Sequence, residues 1–259
     1  MPVFAVDDTY VIKLFPLDEL THFETERTAL ARIDGSLSIP TPRLIEVGQI
    51  DEWHFIAMTR MTGETLSRVW PAIPADERLT LTRRVGATLA ELHSISIDDC
   101  AALTVDWPAF MRDQRETAVA RQAAKGLAPE WLHQVDDFLH RWMPRDDGRR
   151  VLLHTEVMRE HLLAERRDGA WRLTGLVDFE PAMIGAPEYE FASVGLFVGC
   201  AEPGLFAAAL DAYGIELEPE RTMAYALLHR YSHLRWYLES LPHDSNTTLE
   251  SLARRWFGC

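Results

Sequence analysis

The strongest chemical signal in the sequence is a set of carboxylates and a histidine placed at the ends of strand-like runs. Val151-Leu152-Leu153 is apolar, His154 to Glu160 is largely polar, and His161-Leu162-Leu163 opens a second apolar run. This places Glu156 and His161 on the turn between two strand-like pieces. Further on, Leu176-Val177-Asp178-Phe179-Glu180 sets another carboxylate directly after an apolar run. Carboxylates at strand ends can converge on one site, where such groups hold a metal or accept a proton.

The elements that must position these groups follow from the patterning. Residues 3–6 and 10–15 are short apolar, β-favouring runs separated by Asp7-Asp8-Thr9, which predicts a hairpin. From about Asp18 to Ile33, Leu20, Phe23, Leu30 and Ile33 recur near helical spacing, with Gly35 as the stop. Ile39-Pro40-Thr41-Pro42 forces extended backbone, and two β-like runs, 43–50 and 53–61, flank Asp51-Glu52. After Thr62-Gly63-Glu64 the pattern turns helical, near 76–95, 107–122, 128–143, 187–199, 203–213 and 219–241. Strand signals return near 151–154, 161–165 and 171–177. The expected fold is α+β: a small antiparallel β lobe with one helix, residues 1–62, then a larger, mainly helical lobe, residues 63–259.

The chain has 259 residues, 47% hydrophobic and 25% charged, with no apolar stretch long enough to span a bilayer. Met1 to Asp8 lacks the basic region and apolar core of a signal peptide, so a cytoplasmic location is expected. Cys100, Cys200 and Cys259 form no CxxC pair and are read as free thiols. A formal charge of −14 argues against nonspecific binding to nucleic acid or anionic membrane and favours the approach of a cationic ligand.

The Glu156, His161 and Asp178 intervals resemble the catalytic loop and metal-binding Asp of protein kinases and aminoglycoside phosphotransferases. The surroundings are similar as well: His154, Gly175-Leu176-Val177-Asp178-Phe179, and Gly185-Ala186-Pro187-Glu188-Tyr189-Glu190-Phe191-Ala192. So are Val11-Ile12-Lys13-Leu14-Phe15, Met58-Thr59-Arg60-Met61-Thr62-Gly63 and Leu89-Ala90-Glu91-Leu92-His93. In order they cover most of the chain, and they look closest to hygromycin B phosphotransferases acting on the 7''-hydroxyl.

The resemblance implies a two-lobed protein-kinase-like fold. It also implies transfer of the γ-phosphate of ATP or GTP to a hydroxyl of an antibiotic, an aminoglycoside such as hygromycin B or a nucleoside of the capuramycin kind, giving resistance. Glu156 takes the catalytic Asp position, orienting the hydroxyl and receiving its proton. Asp178 and His161 take the metal positions, with magnesium as the ion and manganese as the alternative. Lys13 matches the lysine that contacts the phosphates, with Glu26 its ion-pair partner and Glu24 in reserve. Met58, Thr59, Arg60 and Met61 form the hinge facing the purine.

Three features depart from the family pattern. Glu156 stands where Asp is usual, His161 stands where Asn is usual, and one strand precedes the lysine strand where two with a phosphate-covering loop are usual. Either the lid is shortened or the chain begins late. These departures keep open an alternative, a catalytically weak pseudokinase that binds nucleotide or ligand. Metal-dependent hydrolysis finds less support, because neither the Pro-Cys-x-x-Cys of zinc deaminases nor the His-Glu-x-x-His of zinc proteases is present. His154 and His93 are read as structural and Glu190 as a brace for the catalytic loop. Tyr225, Tyr231, Trp236 and Tyr237, with His229 and His233, form either core or an acceptor wall.

Overall fold

The computed structural model describes residues 1–244 and 247–258; Cys259, one of the three expected thiols, lies outside them. β1 (Val3–Ala5) and β2 (Tyr10–Pro16) form the opening hairpin, its turn held by the Asp7 carboxylate, which accepts from the N–H groups of Thr9 and Tyr10. Alternation along β2 turns Lys13 and Phe15 to one buried face. In α1 (Leu20–Ile33), Phe23, Glu26, Leu30 and Ile33 follow one another along the buried stripe. Glu26 therefore points inward, whereas Glu24 sits on the flank and pairs with Arg27. Gly35 (φ +72°) adopts the left-handed conformation just beyond the helix end, where a Cβ would be strained.

β3 (Leu44–Ile50) and β4 (Trp53–Thr59) complete an antiparallel sheet in the order β1-β2-β4-β3. Val11 lies opposite Met58 and Lys13 opposite Ile56, so the inner face is an apolar floor carrying one ammonium group. The chain leaves the sheet through Met61-Thr62-Gly63, where Thr174 donates its hydroxyl to the Thr62 carbonyl at 2.6 Å. Gly63 (φ +102°) passes so close that a Cβ would lie 2.8 Å from the Ala164 carbonyl oxygen.

After Gly63 come β5 (Glu64–Thr65), α2 (Leu66–Val69), α3 (Ala75–Leu92), α4 (Trp107–Ala124) and α5 (Pro129–Trp142). Next come β6 (Val151–Leu153), β7 (Leu162–Arg167), β8 (Ala170–Leu176) and β9 (Met183–Gly185), in two small sheets ordered β5-β7-β8 and β6-β9. α6 (Glu190–Ser193), α7 (Pro203–Tyr213), α8 (Pro219–Leu228), α9 (Leu234–Ser240) and α10 (Leu249–Phe257) close the fold. The expected helix over 187–199 is a 3-10 turn, then α6, then a π-helical turn at Val194–Gly199.

The expected helix over 219–241 is instead two helices. The chain turns extended at His229 (φ −58°, ψ 139°), although no Gly or Pro interrupts the pattern. The cause is tertiary: the buried His229 ring stacks on Tyr189 at 4.8 Å and bonds to the Thr155 carbonyl. Tyr225, Tyr237 and His229 are core, whereas Tyr231 and Trp236 are exposed. Cys100 and Cys200 are free thiols. Among the described residues no helix is long and apolar enough to cross a membrane.

Candidate active site

Glu156 sits on a loop, 154–161, that is fixed from several sides. His154 is fully buried; its Nε2 donates to the Val177 carbonyl at 3.0 Å and its Nδ1 accepts from the Glu156 N–H at 3.3 Å. A carbonyl only accepts, so these bonds define the neutral tautomer, and burial lowers the His154 pKa in the same sense. One imidazole thereby couples the backbone before Asp178 to the backbone of Glu156. The His154 N–H donates at 2.7 Å to Glu190, also fully buried, which is the bracing role expected of it. Arg159 reaches from the loop to the Val198 carbonyl in the π-helical turn, at 2.6 and 3.0 Å.

Thr155 adopts φ +73°, a strained conformation for a β-branched residue. It is held there at both ends: its hydroxyl donates to the Pro181 carbonyl at 3.2 Å, and its own carbonyl accepts from His229 Nε2 at 3.1 Å. His229 Nδ1 accepts the Tyr231 N–H at 3.3 Å, so this imidazole too is neutral, and burial lowers its pKa to about 4. The corner between α8 and α9 thus fastens the loop that carries Glu156.

A pH dependence follows from this burial. The His229 pKa is depressed on folding, so its contribution to stability is complete above the ordinary value near 6.5. It is lost as pH falls towards 4, because the unfolded chain then takes a proton that the folded chain refuses. Roughly 3 kcal/mol is at stake, with His154 acting in the same direction. Urea unfolding between pH 7 and 4 should show this loss in the wild type and a flatter profile in His229→Gln; equal slopes would contradict it.

Lys13, nearly buried, lies at the centre of the site. Its Nζ is 2.8 Å from Glu26 Oε2, 2.6 Å from Asp178 Oδ1 and 2.7 Å from Glu180 Oε2. Burial alone would lower the Lys13 pKa, but the three carboxylates raise it well above its ordinary value, so the ammonium stays charged. Burial raises Glu26 to about 7 against the pull of Lys13. For Asp178, burial is outweighed by Lys13, which holds its pKa low. Asp178 also has positive φ (+74°), which turns it out of the strand direction directly after β8.

His161 Nδ1 lies 2.8 Å from the Glu156 carbonyl and must donate to it. Its Nε2 is 3.4 Å from Asp178 Oδ2. The ring nitrogen and the carboxylate thus face one another across a gap that a shared cation could bridge. The structure thus brings together Lys13, Glu26, His161 and Asp178, and leaves Glu24 outside. His161→Asn exchanges the nitrogen for the oxygen that magnesium prefers. Magnesium-dependent turnover should stay within about tenfold of wild type or rise. Abolished turnover in a folded variant would show that the imidazole has a role of its own beyond standing in for an oxygen ligand.

A cavity of about 390 Å³ opens beside these groups. Lys13, Glu26, His161, Asp178 and Glu180 line one part of it, and Val11, Met58, Met61, Leu163 and Val177 supply apolar wall. Thr59 and Arg60 also line it. The Thr59 N–H bonds to the Arg43 carbonyl at 3.0 Å and the Arg60 N–H to the Thr9 carbonyl at 2.7 Å, whereas the Met61 N–H has no partner among the described residues. Glu156 does not line this cavity. It is half-buried, burial raises its pKa, and it lies within electrostatic reach of His161, Asp178, Glu180 and Arg230.

Sequence reasoning missed the third carboxylate on Lys13, Glu180, and the loop anchors His229 and Arg159. Glu180 had a usable signal, being two residues from Asp178. The anchors had none, since their partners lie 74 and 39 residues away.

The lobes, the lysine–glutamate pair and the loop order are those of a protein-kinase-like fold, and the comparisons agree. A sequence model of the phosphotransferase enzyme family (APH) matches residues 2–225, and the chain belongs to that family. No curated protein matches the chain by sequence. Among solved structures, the GDP complex of wild-type aminoglycoside 2'-phosphotransferase-IIIa is similar at 18% identity and TM-score 0.72, over 97% of this chain and 85% of that one. The ADP and streptomycin complex of APH(3'')-Id from Streptomyces rimosus aligns at 18% identity and TM-score 0.64, over 87% and 88%. The streptomycin–ATP–APH(2")-IIa ternary complex aligns at 17% identity and TM-score 0.62, over 98% and 89%.

Proposed function

We propose that this protein is a small-molecule kinase that transfers the γ-phosphate of ATP or GTP to a hydroxyl of an antibiotic. The observation that carries this reading is the convergence of Lys13, Asp178 and His161 on one cavity that also carries an apolar wall of Val11, Met58, Met61, Leu163 and Val177. A nucleoside triphosphate has matching halves, a flat base and a polyanion. The base would lie against Val11, Met58 and Met61, with the Met61 N–H and the rest of the 58–61 hinge at its edge. Lys13, held by Glu26, would meet the phosphates. In this reading residues 1–62 form the nucleotide-side lobe and 63–259 the catalytic and acceptor-binding lobe.

Glu156 orients the acceptor hydroxyl and takes its proton as the oxygen attacks phosphorus and the nucleoside diphosphate leaves. The burial that raises its pKa makes it a better proton acceptor than a solvated carboxylate. Asp178 and His161 would hold magnesium or manganese; the Asp178 carboxylate already faces a cation, Lys13 Nζ at 2.6 Å, which supports its part in this reading. Bound metal would supply neutralisation of charge on the transferring phosphoryl group.

Hygromycin-like aminoglycosides are the first acceptor candidates, since a net charge of −14 suits a polycation, and capuramycin-like nucleosides the second. Exposed Tyr231 stands within electrostatic reach of Glu156 on the acceptor side. Action in the cytoplasm, where nucleoside triphosphates are available, would confer resistance on the host. Nucleotide consumption measured against a panel of hydroxylated antibiotics tests the proposal. Acceptor-dependent consumption supports it; nucleotide binding without consumption for any acceptor returns the pseudokinase.

A further inference from the structure

We propose that a cavity at the start of α4, sharing no lining residue with the one at Lys13, binds an organic phosphate through Arg112, Arg145 and the Tyr225 hydroxyl. This goes beyond the kinase reading and does not depend on it. The cavity measures about 350 Å³, within the range of small-ligand sites. Helical spacing turns Pro108, Met111, Arg112 and Arg115 of α4 to one side, and the loop after α5 brings Met143, Arg145 and Asp146 against them.

The charges do not cancel there. Arg115 is taken by Asp136 at 2.8 Å, and Asp146 is taken at both oxygens by Arg150, at 2.8 and 2.7 Å. Arg112 and Arg145 have no ion pair or hydrogen bond among the described residues, in a chain whose formal charge is −14. Two unmatched guanidinium groups at one concavity fit a dianion, because each offers a planar fork of donors to phosphate oxygens. Pro108, Met111 and Met143 supply an apolar wall for the body of the ester.

A second, independent observation points to a ligand. Tyr225, on α8, is 5% exposed and lines the cavity, yet its hydroxyl has no hydrogen-bond partner among the described residues. A buried hydroxyl left unpaired is costly. The group is not free to turn away, since its ring packs edge-on against Tyr189 at 6.0 Å, and Trp107 packs edge-on against the same Tyr189 at 5.3 Å. Burial, with Glu188, Asp146 and Asp147 nearby, raises the Tyr225 pKa well above its ordinary value, so the hydroxyl keeps its proton and can donate it to an anion.

The test is calorimetric titration of the full chain with phenyl phosphate at about pH 7.5, where the ester is a dianion. Phenol, benzoate and inorganic phosphate serve as comparisons, and thermal unfolding checks the fold. Wild type should bind phenyl phosphate saturably. Arg112→Ala, Arg145→Ala should weaken binding by about tenfold or more, and Tyr225→Phe by about threefold or more. Arg83→Ala, Arg172→Ala removes two exposed guanidinium groups outside this cavity and should change affinity by less than about twofold. Equal losses in the two double variants would reduce the effect to a general field and overturn the site, as would full affinity in folded Arg112→Ala, Arg145→Ala. Phenol, benzoate or inorganic phosphate binding as tightly as the ester would overturn it too, since the anion, its second charge or the apolar body would then count for nothing. Folded wild type with no saturable binding would dispose of the site outright. All these results leave nucleotide consumption, and with it the kinase reading, untouched.

Discussion

Glu156→Gln is expected to lower turnover by about 10²–10⁴-fold while nucleotide affinity stays near wild type. The amide keeps the shape of the side chain and cannot take the acceptor proton. Nucleotide binding is spared because the cavity by Lys13 is lined by other residues. Glu156→Asp removes one methylene and keeps the base, so it should retain far more activity than the Gln variant. Steady-state kinetics with calorimetry of nucleotide binding check both. Near-normal turnover in Glu156→Gln would remove this residue from the chemistry, whatever the loop geometry around it.

Lys13→Met should fail in two separable ways. Activity should fall about a hundredfold or more, because the cation proposed to meet the phosphates is gone. Stability should fall by about 3 kcal/mol, because Glu26 is left as a buried acid without its partner. The double variant Lys13→Met, Glu26→Gln should regain most of the stability and none of the activity. Chemical denaturation measures the first quantity and kinetics the second. Recovery of activity in the double variant would show that Lys13 serves Glu26 rather than the nucleotide.

The contrast between Glu26 and His229 shows what the sequence could reveal. Glu26 lies in the same stripe as Phe23, Leu30 and Ile33, so helical periodicity alone aims it at the strand bearing Lys13. The 154–161 loop was legible in a similar way, since Glu156, His161 and Asp178 sit at apolar run ends that become β6, β7 and β8. His229 follows an apolar helical pattern that continues past it, and only its bond to Thr155 and its stacking on Tyr189 break the helix there. Such contacts leave no local trace.

Short elements escaped for another reason. β5 and β9 have two and three residues, too few for alternation to register, and exist because β7 and β6 offer them partners. α10 did have a signal, with Thr248 as cap and Leu249, Leu252 and Trp256 at helical spacing behind it. In the site itself, the clustering of Asp178 and Glu180 on one ammonium depends on the left-handed backbone at Asp178 and the approach of β2 from the other lobe.

The most direct measurement is mass spectrometry of candidate acceptors incubated with the protein, Mg²⁺ and nucleoside triphosphate labelled with ¹⁸O in its γ-phosphate. The account predicts an acceptor that gains one phosphate carrying the label, in wild type and not in Glu156→Gln. Label found solely in free phosphate, or no nucleotide consumed with any aminoglycoside or nucleoside antibiotic, would contradict it.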